Sequence, residues 1–179
     1  MRHSLLGLAA ALALGSCATL NESECRTADW YRIGLRDGTE GYSRTRLDDH
    51  RKACTEYGLG SDEAAWKDGY ETGLLDYCTV DNGYRVGRRG GYYYDVCPVQ
   101  DERSFVAAYE LGKETYDVER ELAEHERRVQ ALQERLVSDK IDDKTRREVR
   151  RQLSDLYDRG HWLRRSLDRL ENEWRRRPP

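Results

Sequence analysis

An internal duplication built around four cysteines constrains this chain more than any other feature. These residues are Cys25, Cys54, Cys78 and Cys97. The sequence after the first cysteine aligns without a gap with the sequence after the third, sharing tyrosine, arginine and glycine positions. The sequence after the second aligns in the same way with the sequence after the fourth. Two matches in the same order predict two copies of one unit, residues 25–73 and 78–116, with about ten extra residues in the first copy.

The cysteine count and the duplication together predict two disulfides. An even number of cysteines in an exported chain is typical of a disulfide framework, and four cysteines allow three pairings. Equivalent bridges within each copy, Cys25–Cys54 and Cys78–Cys97, fit the duplication best, although pairing between the copies also respects the symmetry. Because only 37% of residues are hydrophobic and 36% are charged, the core is lean and covalent bridges of about 3–4 kcal/mol each would support it.

Glycines recur at helical spacing behind aromatic residues in both copies. A glycine inside a helix costs about 1 kcal/mol relative to alanine, so the repetition predicts helices whose backbones approach closely. The alternative interpretation is a shallow aromatic pocket that binds a sugar or a peptide. The aromatic residues assigned either to packing or to a ligand are Trp30, Tyr31, Trp66, Tyr84 and Tyr109.

The first residues are typical of an exported and lipid-modified protein. A short basic start precedes an apolar run of about ten residues, which predicts a signal peptide over residues 1–16. The sequence Leu-Gly-Ser before Cys17 resembles the bacterial lipobox, which implies acylation of Cys17 and a lipidated tether over residues 17–24. The alternative is an ordinary secretory signal followed by a chance cysteine. In lipoproteins that this sequence resembles, an aspartate directly after the acylated cysteine signals retention in the inner membrane. Ala18 occupies this position here, so the resemblance implies the periplasmic face of the outer membrane of a Gram-negative bacterium.

Beside these motifs, residues from about Cys17 to Tyr116 resemble a family of small bacterial lipoproteins known as domain of unknown function 2799. The family has no assigned activity, so the resemblance supports the location and leaves the chemistry open. The segments that carry it are Asp29-Trp30-Tyr31-Arg-Ile-Gly34, Arg36-Asp37-Gly38, His50-x3-Cys54, Gly73-Leu74, Tyr77-Cys78, Asn82-Gly83-Tyr84-Arg-Val-Gly87, Val96-Cys97-Pro98 and Phe105-x3-Tyr109-x2-Gly112.

The C-terminal part predicts a helical hairpin over residues 117–175, followed by a short tail, residues 176–179. Apolar residues there step alternately by four and three, the spacing of a coiled coil. A polar break near Lys140 separates the two halves, and a break this short favours antiparallel pairing within one chain. The predicted seam residues are Val118, Leu122, His125, Val129, Leu132, Leu136, Val149, Leu153, Leu156, Gly160, Leu163, Leu167, Leu170 and Trp174. The predicted fold is therefore all-α, a duplicated disulfide-stabilised domain followed by a long antiparallel coiled-coil hairpin.

The sequence offers little catalytic chemistry. His50 and Cys54 have a metal-ligand spacing, but Cys54 is required for a disulfide, so we predict no metal and no cofactor, and interpret His50 as part of a solvated helix. The 34 acidic and 31 basic residues nearly balance, which argues against nucleic acid, and no apolar run is long enough to span a membrane. We therefore expect a non-enzymatic envelope module that contacts a protein partner through residues 117–175, with homodimerisation also open. The alternative is a binding module for cell-wall glycan or peptide.

Overall fold

The computed structural model describes residues 19–138 and 140–177, and within these ranges all regular structure is helical. The predicted signal peptide and Cys17 lie outside the described residues. The mainly helical fold predicted from the sequence is confirmed. The helices are α1 (Glu22–Arg26), α2 (Trp30–Thr39), α3 (Arg46–Thr55), α4 (Glu63–Tyr77), α5 (Val80–Arg88), α6 (Val99–Leu136) and α7 (Asp143–Arg175).

The two copies fold as two helix pairs of the same design, α2 against α4 and α5 against α6. A Cβ placed on Gly34 would lie 2.8 Å from the carbonyl carbon of Trp66, and one on Gly87 would lie 2.6 Å from the amide nitrogen of Lys113 and overlap the Tyr109 carbonyl oxygen. Because Trp66 and Tyr109 are equivalent positions, the same glycine meets the same carbonyl in both pairs. The glycines therefore permit close backbone approach, as the sequence predicts.

The copies differ where the first one carries its additional residues. These residues include the first half of α3, whereas the second copy has no helix between α5 and α6. The glycine pattern also stops early in the second copy, because α5 ends at Arg88 and Gly90 adopts a left-handed φ of +71°. Gly91 therefore lies outside the helix that its spacing suggests.

Two disulfides close the duplicated domain in the pairing favoured by the duplication. Cys25–Cys54 joins α1 to α3, and Cys78–Cys97 joins the end of α4 to the segment before α6, with Cα–Cα distances of 5.4 and 5.5 Å. All four cysteines are buried in one core with the large aromatic residues of both copies. The residues that dominate this core are Trp30, Trp66, Tyr70, Tyr77, Tyr93 and Phe105.

A single helix belongs to both parts of the molecule. The sequence places the boundary between domain and hairpin at residues 116 and 117, but α6 runs without interruption from Val99 to Leu136. Its first half packs against α5, and α7 pairs with it from the tip back to the level of Ala107. The boundary therefore falls inside a helix, because the heptad spacing continues directly from the packing surface of the second copy.

The hairpin packs along the predicted seam. Val149, Leu153 and Leu163 are buried, and Gly160 leaves space for the imidazole of His125, whose Nε2 would lie 2.9 Å from a Cβ on the glycine. Ion pairs flank the seam, including Arg164 with Glu126 at 3.2 Å. The N-cap of α7 is Asp142, whose carboxylate accepts the Thr145 amide N–H at 2.6 Å.

The far end of α7 returns to the duplicated domain. The Trp174 ring stacks on Tyr84 of α5 with centroids 3.9 Å apart and planes within 3°. The Arg177 guanidinium donates to the carbonyl oxygen of Ala107 at 3.3 Å. Arg88 of α5 and Glu119 of α6 also form a two-pronged ion pair beside this contact. The hairpin is thus attached to its base through both of its arms.

The register of the hairpin can be tested by disulfide crosslinking. Gly160 of α7 lies against His125 of α6, and seven residues further towards the tip on each arm this register places Leu132 across from Leu153. We expect L132C and L153C together to form a crosslink within one chain on mild oxidation, detected by mass spectrometry after non-reducing digestion. L132C with S154C is the matched control, because Ser154 is exposed on α7 outside the seam, and no crosslink is expected from it. A crosslink found only between chains would contradict the intramolecular hairpin.

Candidate functional site

A buried cluster of polar side chains joins three helices of the first copy. Asp37 of α2 accepts hydrogen bonds at Oδ2 from His50 Nε2 of α3 at 2.9 Å and from Trp66 Nε1 of α4 at 3.0 Å. Asp37 and His50 have no exposed surface, and Trp66 is 3% exposed. A buried carboxylate is stable only when it is hydrogen-bonded or paired, so the three residues stabilise one another.

The same histidine holds the segment that precedes α1. His50 Nδ1 lies 2.7 Å from the Thr19 hydroxyl oxygen, within hydrogen-bond distance. Leu20, the next residue, is 2% exposed and belongs to the core. Asn21 then caps α1, since its side chain accepts the Glu24 amide N–H at 3.0 Å. In the segment expected to be a tether, Thr19 and Leu20 therefore pack against the domain, and residues 21–24 begin α1 with exposed side chains.

The chain of hydrogen bonds from Thr19 through His50 to Asp37 has the order of groups found in hydrolase triads. Its setting suits a different task. His50 and Asp37 are fully buried, and both are hydrogen-bonded to other groups of the protein. The arrangement fixes the position of Thr19 and joins α2, α3 and α4.

The sequence interpretation of His50 as a solvated residue is wrong, and the roles of Asp37 and Thr19 were missed. His50 directly follows Asp48 and Asp49, both of which are exposed, and this local charge suggested a solvated helix. The available signal was periodicity, because His50, Ala53 and Cys54 share one face of α3 and all three are buried.

The second copy has no equivalent of this cluster. In the alignment of the copies Asp37 corresponds to Gly90 and Trp66 to Tyr109, and α3 has no counterpart. The second helix pair nevertheless packs by the same glycine contacts. The cluster is therefore a specialisation of the first copy and not a requirement of the repeated fold.

The five aromatic residues singled out from the sequence do not form one binding surface. Trp30 and Trp66 are buried, and Tyr84 lies under Trp174. Tyr109 is half-buried and donates its hydroxyl to the carbonyl oxygen of Gly91 at 3.1 Å. Tyr31 is the most accessible of the five, with 41% of its surface exposed.

Two other tyrosines form an exposed aromatic pair in the loop between α5 and α6. Tyr92 is 69% exposed and Tyr94 is 49% exposed, and their rings meet edge to face at 4.7 Å. Asp95, directly after them, is the only non-glycine residue with a positive φ (+53°) in the described parts of the chain. Strained backbone of this kind clusters at functional positions.

The core tyrosines predict a loss of stability at alkaline pH. Burial raises the pKa of Tyr70 and that of Tyr77 to about 12, against about 10 in an unfolded chain. The contribution of each buried, neutral tyrosine to the free energy of unfolding is therefore fully present below pH 10 and is lost as the pH rises towards 12. It amounts to about 2–3 kcal/mol per tyrosine. We expect Y77F to reduce this pH dependence by about half in urea titrations at pH 9–12, whereas Y57F, at an exposed position, leaves it unchanged. An identical pH dependence for Y77F and the wild type would contradict the assignment.

A shallow groove lies between the two arms near the tip of the hairpin. Half-buried Leu132 and Leu156 and exposed Ala131 lie along it, with polar side chains at its margins. The groove residues are Arg128, Ala131, Leu132, Gln152, Asp155 and Leu156.

The residues that could hold a metal are few. In residues 19–138 and 140–177 no three histidine, cysteine or acidic side chains converge on one point. Cys54 is in a disulfide and His50 is bonded on both ring nitrogens, so the pair considered from its spacing is already occupied. Within the same ranges no helix is long and apolar enough to cross a membrane.

The comparison with protein families gives one match. Residues 29–114 match the model of a family described as "Protein of unknown function (DUF2799)". The duplicated domain matches DUF2799. The match begins at the N-cap of α2 and ends within α6, so it covers both glycine-packed helix pairs, the Asp37–His50–Trp66 cluster and the second disulfide. The resemblance stated from the sequence motifs is confirmed. No curated protein and no solved structure matches the chain.

Proposed function

We propose that this protein is a lipid-anchored module of the cell envelope, without enzymatic activity, that presents its hairpin to a protein partner. The observation that carries the proposal is the continuity of α6 between the disulfide-closed domain and the hairpin tip. A helix of 38 residues is about 57 Å long at 1.5 Å per residue. The base therefore fixes the direction in which the hairpin extends.

The groove near the tip supports a protein as the partner. Its apolar centre, formed by Leu132 and Leu156, has charged margins at Arg128 and Asp155, an arrangement typical of protein interfaces. Elsewhere the hairpin surface carries several ion pairs within or between its arms, such as Arg159 with Glu121. The groove is thus the part of the hairpin best suited to contact another protein.

The proposed location rests on the sequence around Cys17 and on the two disulfides. The lipobox-like sequence before Cys17 supports acylation and attachment at the periplasmic face of the outer membrane. The two disulfides in the described part of the chain are consistent with this location, because disulfides persist in oxidising compartments such as the periplasm.

Site-specific photo-crosslinking in intact cells tests the proposal. A photoreactive residue at Ala131 lies in the groove, and the matched control at Arg127 is exposed on the same helix outside it. We expect a discrete protein adduct from position 131 that is absent from position 127 and lost in L156D. An adduct composed of two copies of this chain would identify the partner as a second copy of the same protein. Equal adducts, or none, at both positions would contradict the proposal.

A second candidate function is binding of cell-wall glycan, favoured by the exposed Tyr92–Tyr94 pair. Exposed aromatic rings stack on sugar faces, and this pair lies in a loop bounded by Cys97. We expect Y92S/Y94S to abolish sedimentation of the chain with purified peptidoglycan if this function is real, whereas Y57S should have no effect. Sedimentation that survives Y92S/Y94S would exclude the pair as the binding site.

A further inference from the structure

We infer that the face of the first copy beside Leu20 is a membrane-contact surface, fixed against the bilayer by the Thr19–His50–Asp37 hydrogen bonds. This inference rests on the proposed acylation of Cys17. It adds that the chain between the acylated cysteine and the folded domain is too short to let the domain turn freely. The domain and its hairpin therefore adopt one orientation on the membrane.

The length of chain between anchor and domain supports the inference. Thr19 is two residues after Cys17, and two extended residues span at most about 7 Å. Thr19 is hydrogen-bonded to a fully buried histidine, and Leu20 is 2% exposed. Since the headgroup layer of a bilayer is about 5–8 Å thick on each side, protein surface next to Thr19 and Leu20 lies at the level of the lipid headgroups.

The side chains on this surface suit lipid phosphates. Leu20 lines a shallow groove with Ile33 and with two arginines one helical turn apart, Arg32 and Arg36. Arg32 makes no ion pair within the described residues, and Arg36 approaches only the buried Asp37 carboxylate, at 3.8 Å.

The two carboxylates on the same surface are already engaged. Glu24 accepts the Asn21 amide N–H at 2.7 Å, and Asp29 accepts the Arg32 amide N–H at 3.1 Å. Both therefore act as helix caps, and the two guanidinium groups remain to bind phosphate oxygens.

The buried Asp37–His50 pair, which only the first copy has, gives an independent reason to infer that the N-terminal segment is held in one position. Burying a carboxylate and a histidine is costly, and such groups are often retained because they specify one arrangement. The second copy packs without them. The helix that supplies His50, α3, is also the one bonded to α1 by Cys25–Cys54. The additional residues of the first copy thus hold the chain directly after the anchor.

The orientation of the acylated full-length chain on vesicles tests the inference. A fluorescent amino acid replaces Val137, which is 80% exposed at the hairpin tip, and an acceptor dye labels lipid headgroups in phosphatidylethanolamine–phosphatidylglycerol vesicles. Energy transfer then reports the height of the tip above the bilayer. We expect one narrow distribution of heights for the wild type and a broad one for T19V, which lacks the hydroxyl that contacts His50.

Two variants control for the fold. T19S restores the hydroxyl and is expected to restore the narrow distribution. T55V makes the same substitution where the hydroxyl donates only to the Arg51 carbonyl oxygen within α3, and its distribution should remain narrow. A narrow distribution in T19V would overturn the role of the hydrogen bonds.

The arginines are tested in the same assay. A basic residue near an anionic membrane surface contributes about a fivefold preference for the membrane-bound position. R32Q/R36Q should therefore lower the ratio of chains held in the single orientation to freely oriented chains about 25-fold. The control R147Q/R150Q changes exposed arginines on α7 and should leave the ratio unchanged. A wild-type chain that is bound to vesicles but broadly oriented would overturn this inference and leave the anchor intact. A chain that does not bind vesicles would overturn the proposed anchor and the inference together.

Discussion

Replacing Gly34 by alanine is expected to destabilise the duplicated domain by about 3 kcal/mol. The added Cβ would lie 2.8 Å from the carbonyl carbon and 3.0 Å from the Cα of Trp66, and would overlap its carbonyl oxygen. All three atoms are backbone, so no rotamer change can relieve the clash, and α2 must move away from α4. Urea unfolding with both disulfides intact, followed by far-UV circular dichroism, measures the loss.

The matched control is G60A, because a Cβ on Gly60 meets no atom within 4 Å. We expect it to leave stability unchanged or to raise it by a few tenths of a kcal/mol through the unfolded state. G87A repeats the test in the second copy, where the glycine meets the equivalent carbonyl of Tyr109, and a loss similar to that of G34A is expected. Equal stability of G34A and G60A would show that the helices do not approach as described.

Replacing His50 by alanine is expected to cost about 3–5 kcal/mol, because it leaves the buried Asp37 carboxylate without one of its two donors. The substitution also removes the partner of Thr19. We therefore expect two results together, a lower urea midpoint and rapid amide hydrogen exchange at Leu20 and Asn21.

H161A is the matched control for this substitution, since His161 is an exposed histidine on α7 and its loss should change stability by less than about 0.5 kcal/mol. H50A with a wild-type midpoint would contradict the assignment of His50 to the core. A lower midpoint without faster exchange at Leu20 would show that the N-terminal segment is held by Leu20 alone.

Much of this fold follows from the sequence because its determinants are local or repeated. The alignment of the copies predicts which glycine lies at a helix contact, and Gly34 and Gly87 do so at equivalent carbonyls. The same alignment favours the two disulfide pairings present in the structure. The four-three spacing predicts the hairpin seam, including the contact of Gly160 with His125.

The site could not be predicted because it depends on contacts between distant residues that have no pattern. Asp37 lies 13 positions before His50 and 29 before Trp66, and neither spacing marks a motif. Thr19 lies in a short segment whose sequence suggests a tether, and only the position of α3 brings His50 to it. The continuity of α6 across residues 116 and 117 has no sequence signal of its own, since the helical pattern is the same on both sides.

The stacking of Trp174 on Tyr84 restricts which insertions and deletions can change the length of the hairpin. Because α7 runs back along α6 to reach Tyr84, seven residues added to α6 alone would displace Trp174 by about 10 Å. Seven residues added to each arm at the tip would instead lengthen the hairpin by the same distance and leave the stacked pair in place. Relatives with a longer or shorter reach should therefore differ by paired insertions or deletions, one in each arm and equal in number.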